Sequence, residues 1–335
     1  MTIDRRRFNG AALATLGTAF AGVGALATRT AHAQPGPASA WPTKPVRLIV
    51  GFPAGSSPDL VARTISEPLG KALGQPIVVD NKGGAAGNIG ADQVAKATDD
   101  HTIGLVINGT MTTAKALYKD LPFDPSRDFS LLSLLATSPL VLVTTTDQPS
   151  GSAFFAKAAQ SGTQWNYGSV GVGSTSQLGM EYLKGKVPGM NPVHVPFQSN
   201  PQVITAMLGG QVQLALVPPS VVMPQVKAGK LQAIGLTTAR TPLVPGVPSM
   251  LEAGIRDLNF EVWYGLVAPA RLSALGKTRI DEELGKIMRS DDVHHKFFEL
   301  GLTAVGSNAA EFEARVKRET AVMGQLIAAN HISLD

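Results

Sequence analysis

The chain of 335 residues reads as an α/β protein of two lobes, each a mostly parallel sheet flanked by helices. Short apolar runs alternate with helix-period segments along most of its length. Two strand-to-helix junctions, near residues 52–59 and 168–177, are rich in Gly, Ser and Thr. The 302 residues after position 33 suffice for two domains of about 150 residues each.

The N-terminus comes first. Arg5-Arg6-Arg7-Phe8 is a twin-arginine pattern, and an apolar Ala/Gly-rich run from Ala11 to Ala27 follows it. Ala31-His32-Ala33 offers a small-x-small processing site, so residues 1–33 read as a signal peptide with the mature chain beginning near Gln34. Export to the bacterial periplasm is the expectation, and no later stretch approaches the roughly 20 apolar residues a membrane span requires. The formal charge of +4 falls to +1 once this segment, with its four Arg and one Asp, is removed. No basic stripe remains to argue for nucleic acid. The chain has no Cys, which excludes disulfides, thiolate metal sites and iron–sulfur clusters.

Val46 to Phe52 reads as a buried strand that breaks into Pro53-Ala54-Gly55-Ser56-Ser57 and starts a helix near Asp59. Leu60, Ile65 and Leu69 recur at helical spacing. Such a junction presents unpaired backbone N–H groups and the positive end of a helix dipole, an anion cradle made without Arg or Lys. Ile77–Val79 is a short strand, Asn81 to Gly90 a glycine-rich turn of neither Walker nor dinucleotide spacing, and Ala91 to Ala97 a helix. His101 to Ile107 is a strand ending in Asn108-Gly109-Thr110, polar groups at the carboxyl end where open α/β sheets bind ligands. Residues 120–129 form a proline-punctuated loop, and Pro139 to Val143 is a strand crossing to the second lobe.

Phe154–Gln160 reads as a helix, followed by the second junction, residues 165–180, WNYGSVGVGSTSQLGM. Here Gly168, Gly171 and Gly173 let backbone approach a ligand closely, while Ser174, Thr175 and Ser176 supply hydroxyls and an N-cap for a helix over Gln177–Leu183. It matches neither the dinucleotide fingerprint nor a nucleophile elbow. Two anion-type helix starts on separate lobes suggest lobes that pinch one small anion. Helices over 202–208, 223–228, 280–288, 293–300 and 310–329, with strands over 212–217, 231–236 and 263–268, complete the chain, and no repeat of fixed period stands out. The histidines show no HxH or HExxH pattern, so no metal site, no cofactor and no catalytic residue is expected.

Together, WPTKPVRLIVGFPAGSSPDLVAR, GQPIVVDNKGGAAGNIGADQVAKA, ALYKDLPFDPSRDFSLLSLLATSPLVLV, LGGQVQLAL, KAGKLQAIGLTTARTPLVPGVPSMLEAG and WYGLVAPA resemble the Bug family of extracytoplasmic solute receptors. These are the binding proteins of tripartite tricarboxylate transporters. The resemblance implies a monomeric periplasmic binding protein of the type II, Venus-flytrap class. Domain 1 would comprise residues 41–138 and 262–335, and domain 2 residues 139–261. The cleft between them would capture a small carboxylate and deliver it to membrane permease subunits. The implied ligand-binding residues are Phe52, Ala54, Gly55, Ser56, Ser57 and Asp59 on one side, Ser169, Gly173, Ser174, Thr175 and Ser176 on the other, with Asn108 and Thr110 beside the cleft.

This chain departs from the family's pattern in three places. The first loop is usually richer in glycine, Val217-Pro218 stands where many members have Asp-Asn, and Phe197-Gln198-Ser199 replaces a common Tyr-Lys-Gly. The second departure removes a partner for a ligand ammonium, and the third removes a cation. A simple carboxylate or dicarboxylate is therefore expected over an amino acid or a tricarboxylate, with aromatic acids and neutral amides left open. The alternatives are a periplasmic sensor docking on a signalling receptor, and a hydrolase using a serine of Gly173-Ser174-Thr175-Ser176.

Overall fold

A computed structural model describes residues 41–329 and residue 332. The segment read as a signal peptide, residues 1–33 with the twin-arginine pattern, lies outside the described residues. Strand β1 (Val46–Val50) leads into α1 (Ser57–Leu73), β2 (Ile77–Asn81) into α2 (Asn88–Lys96), and β3 (Thr102–Ile107) into the short α3 (Asn108–Thr112) and α4 (Ala114–Leu117). Strand β4 (Phe129–Pro139) runs straight on into β5 (Val141–Thr145). Then come α5 (Gly151–Ala158), β6 (Asn166–Ser169), α6 (Thr175–Lys186), β7 (Val193–Pro196), α7 (Asn200–Leu208), β8 (Leu214–Val217), α8 (Pro219–Lys227) and β9 (Leu231–Leu236). The chain closes with β10 (Glu261–Pro269), α9 (Ala274–Ile287), α10 (Asp291–Glu299), β11 (Thr303–Ala304) and α11 (Ala309–Ala329).

These strands form two sheets, in the orders β11-β4-β10-β3-β1-β2 and β7-β6-β8-β5-β9. Setting β11 aside, the two orders superimpose: β1, β2, β3 and β4 correspond to β6, β7, β8 and β9, and β10 corresponds to β5. The repeat missed in the sequence is thus a repeat of topology. The expected mostly parallel sheets are instead mixed. Strands β1–β2, β1–β3, β6–β7 and β6–β8 pair in parallel, as helical crossovers require. Strand β10 is antiparallel to β3 and β4, and β5 to β8 and β9, because each comes over from the other sheet without a helical crossover, β5 straight from β4 and β10 after the irregular segment 237–260.

The sequence reading also missed β4. FSLLSLLATSP has no period-two alternation because it is buried along nearly its whole length, between β11 and β10 and with helices on both faces. Both faces of β1 are likewise buried: Val46, Leu48 and Val50 join the cluster under α1, and Ile49 joins the one with Val94, Trp263 and Phe312. At the crossing, Thr237 ties the two connections together. Leu140 N donates to Thr237 Oγ1 (2.9 Å), Thr237 N donates to Leu140 O (2.9 Å), and the Thr237 hydroxyl also reaches Phe260 O.

Candidate functional site

The β1–α1 loop is held from behind by a carboxylate. Asp59 Oδ2 accepts from Gly55 N and Arg63 Nε, both at 2.9 Å, and its Oδ1 accepts from Asn81 Nδ2 at 3.0 Å. Asn81 also donates to Phe52 O at 2.9 Å. Burial alone would raise the Asp59 pKa, but these bonds outweigh it and hold the carboxyl below its ordinary value. Asp59 therefore shapes the loop and has no lone pair turned to a ligand. Ser56 occupies the N-cap position of α1, yet its hydroxyl donates to Pro53 O (2.6 Å) and leaves the first-turn N–H groups uncapped. The Phe52 ring lies against Gly87, where an added Cβ would come within 2.9 Å of it.

The facing β6–α6 loop is braced within itself. Ser174 caps α6 through Gln177 N, donates to Gly171 O (2.6 Å) and lies 3.1 Å from the Ser176 hydroxyl, while Gln177 Oε1 accepts from Gly173 N. Ser169 shares a hydrogen bond with His194 Nε2 (2.7 Å), behind the loop. Desolvation dominates there, pushing the imidazole pKa down to about 4.

Between the loops lies a cavity of about 30 Å³ lined from both sheets. Its wall includes the starts of α1 (Ser56, Pro58), α6 (Ser174, Thr175, Ser176), α7 (Ser199, Asn200) and α8 (Pro218). Four helices thus direct their partial positive ends at one point. Alternation along β10 turns Val262 and Tyr264 to the cavity and Trp263 to the opposite core. Phe52, Ile107, Leu140 and Val170 complete the wall, which contains no ionisable carboxylate or base. Two polar atoms of this wall are buried without a hydrogen-bond partner: Tyr264 Oη and Asn200 Oδ1. Ser57 is near enough to ease the burial-driven rise of the Tyr264 pKa slightly, but makes no hydrogen bond to it. Buried polar groups rarely stay unpaired, so these two point to an absent occupant.

A second chamber of about 410 Å³ shares Phe52 and Val170 with the first. It is lined by the 84–87 turn, Tyr118, the 171–172 backbone and Pro196, Phe197, Gln198 and Gln202. The glycine-rich turn, read from sequence as structural, therefore borders the cleft.

Of the residues expected at the site, Phe52, Ser56, Ser174, Thr175 and Ser176 line the inner cavity. Others bridge the two sheets directly. Asn108 Oδ1 accepts from Thr175 Oγ1 (2.7 Å), and its Nδ2 donates to Glu261 O and Glu319 Oε1, both at 3.0 Å. Its amide is fully used. Thr113 donates to Gly173 O (2.8 Å), Tyr118 to Val172 O (3.1 Å), and Ser57 and Ser220 hydroxyls meet at 3.2 Å. These contacts join the elements of the two sheets across the cleft. Thr110 reaches Ala86 O at 3.4 Å, and Ala54 and Gly55 belong to the loop behind the cavity wall. Sequence reasoning passed over Asn200 and Tyr264, and met Ser199 and Pro218 only as departures from the family's pattern, not as site residues. Ser199-Asn200-Pro201 is itself a helix-start signal, and period two along Trp263-Tyr264 could have flagged the latter.

Known proteins place this geometry. A family model for the tripartite tricarboxylate transporter family receptor matches residues 61–332. A protein encoded in the TAR-I ttuE-ttuC' intergenic region of Agrobacterium vitis is 31% identical, with 85% of each chain covered. Among solved structures, Rpa4515 of R. palustris with adipate matches with a TM-score of 0.84 at 28% identity, covering 88% of this chain and 99% of that one. MatC from Rhodopseudomonas palustris with bound malate gives 0.80 at 28% identity, covering 86% and 100%. The same two-sheet α/β architecture thus recurs in periplasmic binding proteins. The chain belongs to the tripartite tricarboxylate transporter receptor family, the Bug-type solute-binding proteins.

Proposed function

We propose that the mature protein is a periplasmic receptor that closes on a small carboxylate and presents it to a membrane permease. Residues 41–138 with 262–335, and residues 139–261, would then be the two closing domains, hinged where Leu140 and Thr237 meet. The observation that carries this is the neutral cavity with two unpartnered buried groups under four convergent helix starts. The Tyr264 hydroxyl and first-turn N–H groups are donors that suit a carboxylate oxygen, each charge-assisted bond contributing roughly 1.5–3 kcal/mol. Asn200 Oδ1 is an acceptor and takes a donor such as a ligand hydroxyl or a bridging water. The malate and adipate bound by relatives support the ligand class.

Binding without catalysis is supported by the absence of His, Asp, Glu, Lys and Arg from the cavity wall, so no base faces the hydroxyls of Ser174 and Ser176. The Ser169–His194 pair sits outside that wall. The test is thermal unfolding of refolded, ligand-stripped mature protein against mono-, di- and tricarboxylates and amino acids. A true ligand at about 100 times its Kd adds roughly 2.7 kcal/mol, a shift of several degrees. A flat response to every carboxylate, with a response to another class, would overturn the proposal.

A further inference from the structure

We infer that the preferred ligand is a monocarboxylate with an apolar or aromatic tail, rather than a dicarboxylate or a zwitterion; this rests on the receptor function proposed above. The inner cavity of about 30 Å³ is small. One water needs at least roughly 10–15 Å³ of such space, so the chamber takes a carboxylate head and little more. The unpaired Tyr264 hydroxyl donates to this head beside the first-turn N–H groups, while the unpaired Asn200 Oδ1, an acceptor, takes a water held with the head.

The rest of the ligand passes between Phe52 and Val170, the two residues common to both chambers. This neck is apolar and suits hydrocarbon. Beyond it, the outer chamber presents the rings of Phe52, Tyr118 and Phe197, with Val170, Val172 and Pro196. Its polar side chains are largely spent. The Tyr118 hydroxyl donates to Val172 O (3.1 Å), and Gln202 Oε1 accepts from Gln198 N (3.0 Å). In the 84–87 turn, Gly87 N is used by Gly84 O (3.0 Å). The Gln198 side chain and the Gln202 amide N–H groups remain, at the exposed rim.

No Lys, Arg, His, Asp or Glu lines either chamber. A second carboxylate entering the outer chamber loses water and gains no cation. An ammonium finds no carboxylate in either place, and only the neutral Asn200 Oδ1 to accept from it. An aryl or alkyl tail loses nothing there, and covers three rings. Phe197 is the residue that sets this preference, because it occupies the outer wall where a basic side chain would welcome a second anion.

The experiment is titration calorimetry of the ligand-stripped protein with 3-phenylpropionate, adipate and malate. The expected result is 3-phenylpropionate binding about tenfold or more tighter than adipate. In Phe197→Arg the order reverses, because the guanidinium supplies the missing partner. Gln198→Arg places the same charge at an exposed position, so it shifts the ratio the same way even if Phe197→Arg does not fold. Adipate or malate binding as tightly as 3-phenylpropionate in the unaltered protein would overturn the inference and leave the receptor function standing. Binding of none of the three would overturn the inference, and the melting series over the remaining carboxylates then decides the receptor function separately.

Discussion

Replacing Tyr264 by Phe should make the empty protein more stable and the receptor worse. Tyr264 is only 1% exposed, and its hydroxyl is buried against the cavity with no hydrogen-bond partner. A buried unsatisfied hydroxyl costs about 1–3 kcal/mol, and the Phe ring keeps the shape that packs in β10. Removing the oxygen should therefore stabilise the ligand-free form by about 1–2 kcal/mol, seen as an upward shift of a few degrees in Tm. Ligand binding loses a charge-assisted hydrogen bond of roughly 1.5–3 kcal/mol, which is about 10- to 150-fold in Kd. Denaturant or thermal unfolding of stripped protein reads the first effect, and calorimetry with the carboxylate that stabilises the unaltered protein reads the second. A variant of lower Tm with unchanged affinity would refute the reasoning, since it would mean that the hydroxyl is satisfied in the empty protein and plays no part in binding.

The contacts between the sheets, the glycine contact and the buried imidazole give four further tests. Thr175→Val keeps the side-chain shape but deletes the 2.7 Å bond to Asn108, so about 1 kcal/mol of closed-state stabilisation should be lost. Small-angle scattering should show a larger radius of gyration for this ligand-free variant. Asn108→Asp sets a buried carboxylate against Glu319, 3.0 Å from the present amide, and should lower stability by about 3–5 kcal/mol in a melt at pH 7. Gly109→Ala puts a Cβ within 2.8 Å of Gly173 O across the cleft, so ligand affinity should fall well before stability does, as calorimetry and melting together would show. His194 has a folded pKa of about 4 against an ordinary 6.5, so the unfolded chain takes up the proton first. Its stabilising contribution is complete above about pH 6.5 and is lost as pH falls toward 4, and His194→Gln should flatten that part of the Tm–pH curve.

Strand–loop–helix junctions are local, and so the sequence revealed them. An apolar run, then Pro-Ala-Gly-Ser-Ser or Gly-Val-Gly-Ser-Thr-Ser, then a 3.6-residue period states where a helix begins and which N–H groups it leaves free. Both loops stand where they were expected, facing each other across the cleft. The antiparallel strands β5 and β10 were not legible, because pairing direction depends on which sheet an extended segment enters, and β4 was hidden by burial on both faces. The site was legible by segment and not by side chain. Ser56 and Ser176 face the cavity while Asn108, Ser169 and Asp59, of equally suitable chemistry, are consumed by Thr175, His194 and Arg63. Four of the groups that matter most, Ser199, Asn200, Pro218 and Tyr264, come from other parts of the chain. Composition and local pattern determined that this protein has two helix starts, rich in Gly and Ser and without Lys or Arg, each following a buried strand. Which hydroxyls and amides remain unpaired to meet a ligand was decided only by tertiary structure, because a hydrogen bond is satisfied by whatever the fold brings within about 3 Å, whatever its distance in sequence.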